Sequence, residues 1–504
     1  MALASSAAAC TLILGLRDDY HVGDAGDAAN AGDATDAGFD APPVVPWVLP
    51  LRSDVNDVKV QDVEIDPATG DVGVAGYFTK TLDLGGGVTL TGGSTYVSAF
   101  FLRLDAQGHV LWKATMVGTS SDYKGNAIAF GNGEMAVTAS GFSDKAYDVF
   151  GNLASVPFTC GYSSMVSRVA ANGTAVRPTK AFCGGSFRHL VYAESGNLAG
   201  TGLLFTPNDF APDGGNLPYR GAQDVLVMLI APDDSLLWSR SFGTSDYDYG
   251  VDVAFGTDQA VYVVGATNTQ TDDAGVEQTI AFDDAGTAGG LGFADGFLIR
   301  LDGTSGAATK VVSIAGASVD EVQGIFNAGD HVVVSGSLTG VGNVGSTFTG
   351  GANQNLNFLF ASVDYAGNVS GVNIDQDGVP TVAGPAVLGA GGTTVLPILA
   401  TMGTSQQTLT LGSTPVTVPA DNVETQIGLI SSWPGANVLA LPPLVAAVRN
   451  TRLLAAVHQP TGNLVVAGEI DRPVQLLDAG LTPMPDDAGG TLTAAFVMGY
   501  GKWP

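Results

Sequence analysis

Short hydrophobic runs recur along most of this chain in a fixed order of four. The first run of a set is represented by Gly250-Val-Asp-Val-Ala-Phe255, and the second ends in small residues, as in Val261-Tyr-Val-Val-Gly-Ala266. After a loop of variable length comes a third run such as Gly296-Phe-Leu-Ile-Arg-Leu-Asp302, and a turn leads to a fourth, such as Leu236-Leu-Trp-Ser-Arg-Ser-Phe242. Short runs rich in β-branched and aromatic residues, separated by Asp-Gly, Asn-Gly and Ala-Gly turns, predict β-hairpins.

The set of four runs repeats seven times between residues 45 and 504. The sixth copy fits least well, because Pro397 stands where the second run should carry small residues. Aligning the third runs places equivalent positions roughly 60 to 72 residues apart, at Arg103, Arg168, Met228, Arg300, Ser362, Ile430 and Met498. Four-stranded units repeated around an axis are the blades of a β-propeller. A linear β-solenoid is the rival architecture, although its coils are usually shorter than about 50 residues.

The two ends of this region complement each other. The seventh copy stops after its third run, Ala494-Ala-Phe-Val-Met-Gly-Tyr500, whereas Val45-Pro-Trp-Val-Leu-Pro-Leu51 precedes the first copy and aligns Trp47 with Trp112 and Trp238. We therefore expect the N-terminal strand to complete the last blade, which would hide the open edges of the array. The predicted fold is an all-β, seven-bladed β-propeller of four-stranded antiparallel blades over residues 45–504.

Two further segments precede the predicted propeller. Small residues stand directly before Cys10, as at the site where bacterial lipoproteins are cleaved and acylated, so we expect residues 1–16 to be a lipoprotein-type signal remnant with Cys10 lipidated. An ordinary free cysteine is the alternative. Residues 17–44 are rich in Asp, Ala and Gly and have too little apolar surface to offset their ordering entropy. They predict a disordered acidic linker.

The other two cysteines predict a disulfide bond. Cys160 is expected to open the third strand of the second copy and Cys183 to close the fourth, with the Asn172-Gly173 turn almost midway between them. Neighbouring antiparallel strands bring Cα atoms within disulfide range, and the bacterial envelope is oxidising. Two buried thiols are the alternative.

The composition narrows the possible partners. The chain has 504 residues, 20 Lys and Arg against 49 Asp and Glu, and a net charge of −29. So acidic a protein repels phosphate backbones, and we expect no nucleic-acid partner. No run of about 18 apolar residues suggests a membrane-spanning helix, so any membrane contact should pass through the N-terminal lipid alone.

The repeat resembles the bacterial seven-bladed β-propeller repeat family, known as the SBBP type. The resemblance is carried by Gly76-Tyr-Phe78, Leu82-Asp-Leu-Gly-Gly-Gly87, Ala99-Phe-Phe-Leu-Arg-Leu-Asp-Ala-Gln-Gly108 and Leu111-Trp112, and it extends over about residues 45 to 504. It implies the propeller fold and a location in the bacterial cell envelope, at the outer membrane or secreted. It implies no activity.

Candidate chemistry is sparse, and we predict no catalytic residue, cofactor or metal ligand. The five histidines, His21, His109, His189, His331 and His458, show no metal-ligand spacing. Calcium is the alternative at Asp375-Gln-Asp-Gly378, which lacks the spacing and the distal Glu of an EF-hand, and at Asp272-Asp273 and Asp283-Asp284 in the longest variable loop; solvated acidic loops are the expected interpretation. Asp54, Asp122, Asp246 and Asp320 precede successive first strands, where we expect them to accept backbone hydrogen bonds; a ring of cation-attracting carboxylates is the alternative.

These observations predict a monomeric, non-enzymatic, envelope-tethered module that binds a protein or a glycan. Loops on a rigid scaffold usually carry binding residues, so the long loops between second and third strands are the expected site. They span residues 206–222, 267–294, 402–424 and 470–493, with Phe205, Phe210, Tyr219 and Phe293 in or beside them. A hydrolase or lyase with its site at the central mouth is the second hypothesis, and a purely structural surface protein is the third.

Overall fold

The predicted all-β class is confirmed. The computed structural model describes residues 46–53, 58–117, 121–142, 162–205, 208–212, 215–268, 279–290, 292–316, 318–350, 356–374, 381–389, 394–400, 407–411, 414–418, 426–431, 439–440, 454–470, 474–476, 479–481 and 494–502. Every regular element in these ranges is a β-strand, and they contain no helix able to cross a bilayer.

The first half of the chain contributes β1 to β21. Their bounds are β1 (Trp47–Ser53), β2 (Lys59–Ile65), β3 (Val72–Phe78), β4 (Thr81–Asp83), β5 (Thr89–Thr91), β6 (Ser98–Leu104), β7 (Val110–Met116), β8 (Tyr123–Gly131), β9 (Glu134–Gly141), β10 (Ser163–Ala170), β11 (Lys180–Cys183), β12 (Gly185–Tyr192), β13 (Leu198–Leu204), β14 (Asp224–Ile230), β15 (Leu236–Phe242), β16 (Asp248–Phe255), β17 (Val261–Asn268), β18 (Thr279–Ala281), β19 (Thr287–Gly289), β20 (Ala294–Leu301) and β21 (Ala308–Ala315).

The second half contributes β22 to β39. Their bounds are β22 (Glu321–Asn327), β23 (His331–Thr339), β24 (Val341–Val344), β25 (Thr347–Gly350), β26 (Leu356–Asp364), β27 (Val369–Ile374), β28 (Thr381–Ala383), β29 (Val387–Leu388), β30 (Thr394–Ala400), β31 (Gln407–Leu411), β32 (Thr414–Val418), β33 (Gln426–Ser431), β34 (Leu439–Ala440), β35 (Leu454–His458), β36 (Asn463–Ile470), β37 (Val474–Leu476), β38 (Ala479–Leu481) and β39 (Ala494–Lys502).

Within the described ranges, seven antiparallel sheets have four or more strands, and we number them in chain order. Sheet 1 is β2-β3-β6-β7, sheet 2 is β8-β9-β10-β11, sheet 3 is β12-β13-β14-β15 and sheet 5 is β22-β23-β26-β27. Sheet 4 is β16-β17-β20-β21 extended by β24-β25, and sheet 6 is β28-β30-β33-β34 with β29 also on β30. Sheet 7 is β35-β36-β39-β1 extended by β4-β5. In six of these sheets the strands follow the predicted order of four runs, and in sheet 7 the fourth place is taken by β1.

The first strands of the sheets contact one another in succession. β2 contacts β8, β8 contacts β12, β12 contacts β16 and β16 contacts β22, and the series continues through β29 and β35 back to β2. Hydrophobic side chains fill the space between successive sheets; for example, Leu51, Val497 and Leu454 of sheet 7 join Val74 and Phe100 of sheet 1 in one core cluster. Burial of these apolar faces, which recur at every second strand position, is what holds the sheets together.

The N-terminal strand pairs with the last strand of the chain. In the antiparallel ladder between β1 and β39, Trp47 lies opposite Gly499 and Pro50 opposite Phe496. Trp112 of β7 and Trp238 of β15 occupy the same place in their own sheets, opposite Arg103 and Leu229. The alignment of these three tryptophans is therefore confirmed by the strand register.

The same register corrects the alignment of the third strands. The position equivalent to Arg103 is Leu229 in sheet 3 and Gly499 in sheet 7, each one residue after the predicted Met228 and Met498. An offset of one residue turns a side chain to the opposite face of the sheet. Sequence similarity could not detect this offset. Both faces of these strands are buried, so hydrophobic residues follow one another without an alternation that would define the register.

Sheet 6 departs from its neighbours where the sequence predicts the poorest copy. Its first strand is divided into β28 and β29, which pair with β30 on either side of the Leu396-Pro397 dipeptide. Proline has no N–H to donate to a ladder, although its carbonyl accepts a hydrogen bond from Gly384 N at 2.8 Å. The break contains Pro385 and lies opposite Pro397, so it coincides with two residues that cannot donate to the ladder.

Candidate functional site

A cavity lies between the first strands of the sheets. It has a volume of about 540 Å³, and sheets 1, 3, 4, 5, 6 and 7 contribute to its lining. Residues of the turns between first and second strands also line it, including Glu194, Thr257 and Gln459. The cavity therefore lies toward the ends of the first strands that carry these short turns.

Four ionisable side chains converge on one side of the cavity. Asp62 and Glu64 come from β2, His189 from β12 and Asp252 from β16. The His189 Nδ1 atom lies 2.6 Å from Asp252 Oδ1, and its Nε2 atom lies 3.6 Å from Glu64 Oε1. One ligand atom each from Asp62, Glu64 and His189 lies within 4.8 Å of the other two. The arrangement is a histidine held between carboxylates.

A β-bulge near the beginning of the first strand places three of these side chains. The register shifts between Val60 and Asp62 in β2, between Phe187 and His189 in β12, and between Gly250 and Asp252 in β16. Bulges re-aim side chains and are frequent beside functional sites. Asp62, His189 and Asp252 consequently occupy one equivalent position of the repeat.

Backbone hydrogen bonds hold the two buried aspartates in place. Asp62 Oδ2 accepts from Ile128 N at 2.9 Å, and Asp252 Oδ2 accepts from Ile325 N at 2.9 Å. Each donor belongs to the first strand of the following sheet, so each carboxylate links two sheets. Asp252 Oδ1 also accepts from Val253 N at 2.7 Å. These carboxylates are thus preorganised by the fold.

The carboxylates determine the charge of the histidine. Burial alone lowers the pKa of His189, but the charge of Asp252 and the close carboxylates of Asp252 and Glu64 raise it well above the usual value. An opposite charge in a site of low polarity favours the charged form of a group. The carboxylates around His189 therefore favour the imidazolium form of its side chain.

The lining contributed by sheets 5, 6 and 7 is mainly apolar, with Asn327 and Gln459 as polar exceptions. Sheets 5, 6 and 7 contribute Ile325, Ala386, Val387, Leu388 and Leu454. Phe255 of sheet 4 and Phe326 of sheet 5 also line the cavity, and both are half-buried. The cavity thus presents carboxylate acceptors from sheets 1 and 4, mainly hydrocarbon surface from sheets 5, 6 and 7, and aromatic surface from sheets 4 and 5.

The cysteine predictions fall partly outside the structure. Cys10 and Cys160 both lie outside the described residues, so lipidation and the Cys160–Cys183 disulfide stay predictions. Cys183 is the last residue of β11 and lies opposite Ser163, the first residue of β10. Residue 160 precedes that register partner by three positions, so β10 begins later than the sequence indicated.

The junction aspartates act on the backbone, as predicted. Asp122 Oδ1 accepts from Val97 N at 2.8 Å, and the Asp320 carboxylate accepts from Gly316 N and Thr339 N. The Asp246 carboxylate accepts from Tyr247 N at 3.0 Å, whereas Asp54 lies outside the described residues. Among the calcium candidates only Asp283-Asp284 is described, and Asp283 Oδ2 accepts from Ala308 N. The other two candidates lie outside these ranges.

The described ends of the long loops 206–222 and 267–294 lie at the opposite ends of the strands from the cavity. They contact the connections between sheets, since Gln223 bridges to Tyr247 and Ala294 to Val319. Phe293 is 65% exposed there, but Phe210 is fully buried and stacks on Phe182, so Phe210 is a core residue and not a binding residue. The loops around residues 402–424 and 470–493 lie largely outside the described residues.

Sequence reasoning missed the cavity cluster, because Glu64 and His189 are far apart along the chain. Aligning first strands by their bulge would have placed Asp62, Ala127, His189, Asp252 and Gly324 in one column. That column holds three ionisable residues beside Ala and Gly. This contrast was the signal in the sequence that could have indicated a site. Which of them meet in space depends on the arrangement of the sheets.

No known sequence family and no characterised protein sequence matches this chain. Two solved structures show a weak likeness. The quinohemoprotein alcohol dehydrogenase of Comamonas testosteroni is 9% identical, with 90% of this chain and 78% of that chain covered and a TM-score of 0.38. An ACO/RPE65 chimera is 12% identical, with 80% and 94% covered and a TM-score of 0.34. Likenesses this weak carry no argument about activity.

Proposed function

We propose that residues 45–504 form a closed seven-bladed β-propeller in which β1 completes the last blade. The proposal is supported by the succession of first-strand contacts, which returns from β35 to β2. It is also supported by the hairpin β4-β5, which extends sheet 7 as β24-β25 extends sheet 4. In both cases a loop hairpin of one sheet adds to the outer strand of the sheet before it.

We further propose that this propeller is a non-enzymatic binding module whose ligand is the end of a glycan. The observation that carries the proposal is the two-sided cavity. Carboxylates such as Glu64 accept hydrogen bonds from sugar hydroxyls, and Phe255 and Phe326 offer flat surface to the apolar faces of a sugar ring. A preformed concave site with a few placed polar groups is the usual form of a small-ligand site.

Binding by the long loops is the competing possibility that the sequence predicts, and matched phenylalanine variants distinguish the two. We would screen the purified chain against a glycan library and measure affinities by calorimetry. Phe326→Ala should weaken binding about tenfold by removing a stacking surface, whereas Phe293→Ala on the loop side should leave affinity unchanged. Loss of glycan binding in Phe293→Ala but not in Phe326→Ala would show that the binding site lies on the loops. A protein ligand without any glycan binding would overturn the glycan proposal.

A hydrolase or lyase is the second candidate, favoured by the Asp252–His189 pair with Glu64 beside it. A protonated histidine beside carboxylates can act as a general acid, with Glu64 as a nearby carboxylate base, and these groups open onto a cavity that holds space for a substrate. Incubation of the chain with the glycans it binds tests this candidate. Chain cleavage that is abolished by His189→Gln would establish an enzyme, and intact glycan after prolonged incubation would leave binding alone.

The location in the cell envelope, with a lipid on Cys10 and an acidic linker over residues 17–44, remains a proposal as well. Its support is the sequence alone, because these residues lie outside the described ranges. Labelled palmitate should be incorporated by the wild-type chain in a bacterial host. Incorporation that persists in Cys10→Ala would contradict a lipid anchor at this position.

A further inference from the structure

We infer that Asp62, Glu64 and His189 form a binding site for a divalent transition-metal ion. All three residues line the cavity, and one ligand atom of each lies within 4.8 Å of the other two. Two carboxylates and an imidazole are ligands suited to ions such as Zn²⁺. This inference does not depend on the glycan proposal, since it rests on the side-chain cluster and not on the apolar wall.

The orientation of the imidazole favours metal binding through Nε2. Asp252 Oδ1 lies 2.6 Å from Nδ1, and Asp252 is itself held by the backbone N–H groups of Val253 and Ile325. Metal-ligating histidines commonly donate their second ring N–H to a carboxylate, which sets the tautomer and the ring orientation. Asp252 is therefore a positioning residue, and Nε2 points toward Glu64.

The separation of the His189 and Glu64 ligand atoms is close to that around a tetrahedral ion. Ligands at about 2.0–2.2 Å from Zn²⁺ lie roughly 3.4 Å apart in a regular tetrahedron, and His189 Nε2 and Glu64 Oε1 are 3.6 Å apart. The widest separation in the cluster is at most 4.8 Å, so the ligand atoms must approach one another by up to about 1.4 Å to complete a regular tetrahedron. The Glu64 side chain is 37% exposed and has room for that adjustment.

The remaining coordination position would face the cavity. Three protein ligands with an open fourth position are the arrangement in which zinc keeps an exchangeable water or binds a further ligand. The 540 Å³ cavity beside the cluster gives an ion an entry path and leaves space for such a ligand. A structural zinc site, by contrast, is closed by four protein ligands.

Two other histidine–aspartate pairs provide internal controls. His109 lies 2.9 Å from Asp105, and His331 lies 2.6 Å from Asp330. Within the part of the chain that the structure describes, neither pair has a third ligand atom close enough to complete a metal site. These two pairs have the same kind of histidine–aspartate contact as His189 and Asp252 but lack the further carboxylates, so they are suitable controls.

Calorimetric titration of the untagged full-length chain with Zn²⁺ tests the inference. We expect one tight site, and Co²⁺ in its place should give the intense visible absorption of a tetrahedral complex. Glu64→Gln, which keeps the shape of the side chain, should weaken Zn²⁺ binding by at least about 100-fold, and Asp252→Asn by about 10–100-fold. His109→Gln and His331→Gln should bind as the wild type does.

Absence of a tight site in the wild-type chain would overturn the inference, as would equal affinity in wild type and Glu64→Gln. His189→Gln provides an independent check, provided that its circular dichroism spectrum and melting temperature match those of the wild type. If that variant does not fold, the Glu64→Gln affinity and the Co²⁺ spectrum decide the matter. A Co²⁺ spectrum typical of an octahedral complex would contradict the tetrahedral site.

Discussion

Two junctions between neighbouring sheets can be compared, the one between sheets 7 and 1 and the one between sheets 3 and 4. Both have the same tryptophan contact, but the chain connects their strands differently. Trp238 Nε1 donates to Gly303 O of sheet 4 at 3.0 Å, and Trp47 Nε1 donates to Ala106 O of sheet 1 at 3.0 Å. In sheet 3 a turn joins the third and fourth strands, whereas in sheet 7 the outer strand β1 comes from the other end of the described chain. Equivalent packing thus forms without the turn.

Non-covalent contacts replace the missing turn in sheet 7. Five paired positions join β1 to β39, the hairpin β4-β5 pairs with the outer side of β1, and Lys59 of β2 forms an ion pair with Glu469 of β36. Leu49 and Leu51 of β1 are buried in the core between the two sheets. The comparison teaches that the interface is specified by side chains of the repeat and not by chain connectivity.

The comparison also reveals a chemical difference. Asp248 and Asp320 are fully buried at the junctions before sheets 4 and 5, and Val58 occupies the same place before sheet 1. Burial raises the pKa of Asp320 to about 7. The stability of the junctions before sheets 4 and 5 should therefore depend on pH. The junction with β1 carries the apolar Val58 at this position and should not.

Deletion of residues 45–53 should have the largest effect. It removes β1, exposes the edge of β39 and uncovers the core beneath Leu49 and Leu51, so the melting temperature should fall by on the order of 10 °C or more and aggregation should increase. Calorimetry and light scattering measure both effects. Deletion of residues 17–44, outside the sheets, is the control. Unchanged melting after the first deletion would refute closure by β1.

Tryptophan truncation tests whether the two junctions are energetically equivalent. Trp238→Ala should lower the free energy of unfolding by about 3–5 kcal/mol, and Trp47→Ala by about 2–3 kcal/mol because Trp47 is only half-buried. Chemical denaturation measures these differences. Leu237→Ala, at an exposed neighbouring position, should change stability by less than about 0.5 kcal/mol. A negligible effect of Trp47→Ala would show that β1 is not part of the interface.

The buried aspartates should make stability depend on pH. A carboxyl whose pKa is raised in the folded protein binds more protons folded than unfolded, so stability falls as pH rises from about 4, near the ordinary pKa of 3.8, to about 7. For Asp320 the loss should be on the order of 3–4 kcal/mol. Denaturation at several pH values should show this slope in the wild type and a shallower one in Asp320→Asn. An identical slope in both chains would contradict the assignment.

Glycine substitution should give the smallest of these effects. Gly108 and Gly306 both have left-handed backbone conformations, with φ of 84° and 70°, and a Cβ atom at either would overlap the ring of Trp47 or Trp238. Gly108→Ala and Gly306→Ala should each lower the free energy of unfolding by about 1–2 kcal/mol. Gly133→Ala serves as the control, since it has a similar φ of 74° with open space around it. Equal losses at all three positions would show that backbone strain alone matters.

Much of the fold could be predicted from the sequence, and the limits have physical causes. Apolar runs, turn residues and the Trp47 alignment predicted the strand order and the pairing partner of β1. The register of the third strands was predicted wrongly at Met228 and Met498, since strands buried on both faces carry no alternation to define it. Phe210 was assigned to a binding loop, although it packs among Phe182 and Phe187.

The candidate site could be predicted far less well. The sequence analysis placed function on the long loops and found no metal-ligand spacing among the histidines. In the structure Asp62, Glu64 and His189 come together from strands of different sheets, near the ends that carry the short turns. The spacing of residues along the chain reveals a metal site only when the ligands share one strand or helix. Here Asp62 and Glu64 lie on β2, and His189 lies on β12.

By itself, the sequence determined which segments become strands and their order within each sheet. It also determined that β1, near the start of the chain, takes the place of the fourth strand in sheet 7. These properties follow from local hydrophobicity and turn chemistry repeated along the chain. Only the tertiary structure decided that first strands from separate sheets enclose one cavity and that a histidine meets three carboxylates there. That outcome depends on how the sheets pack around a common space, and packing is a property of distant residues acting together.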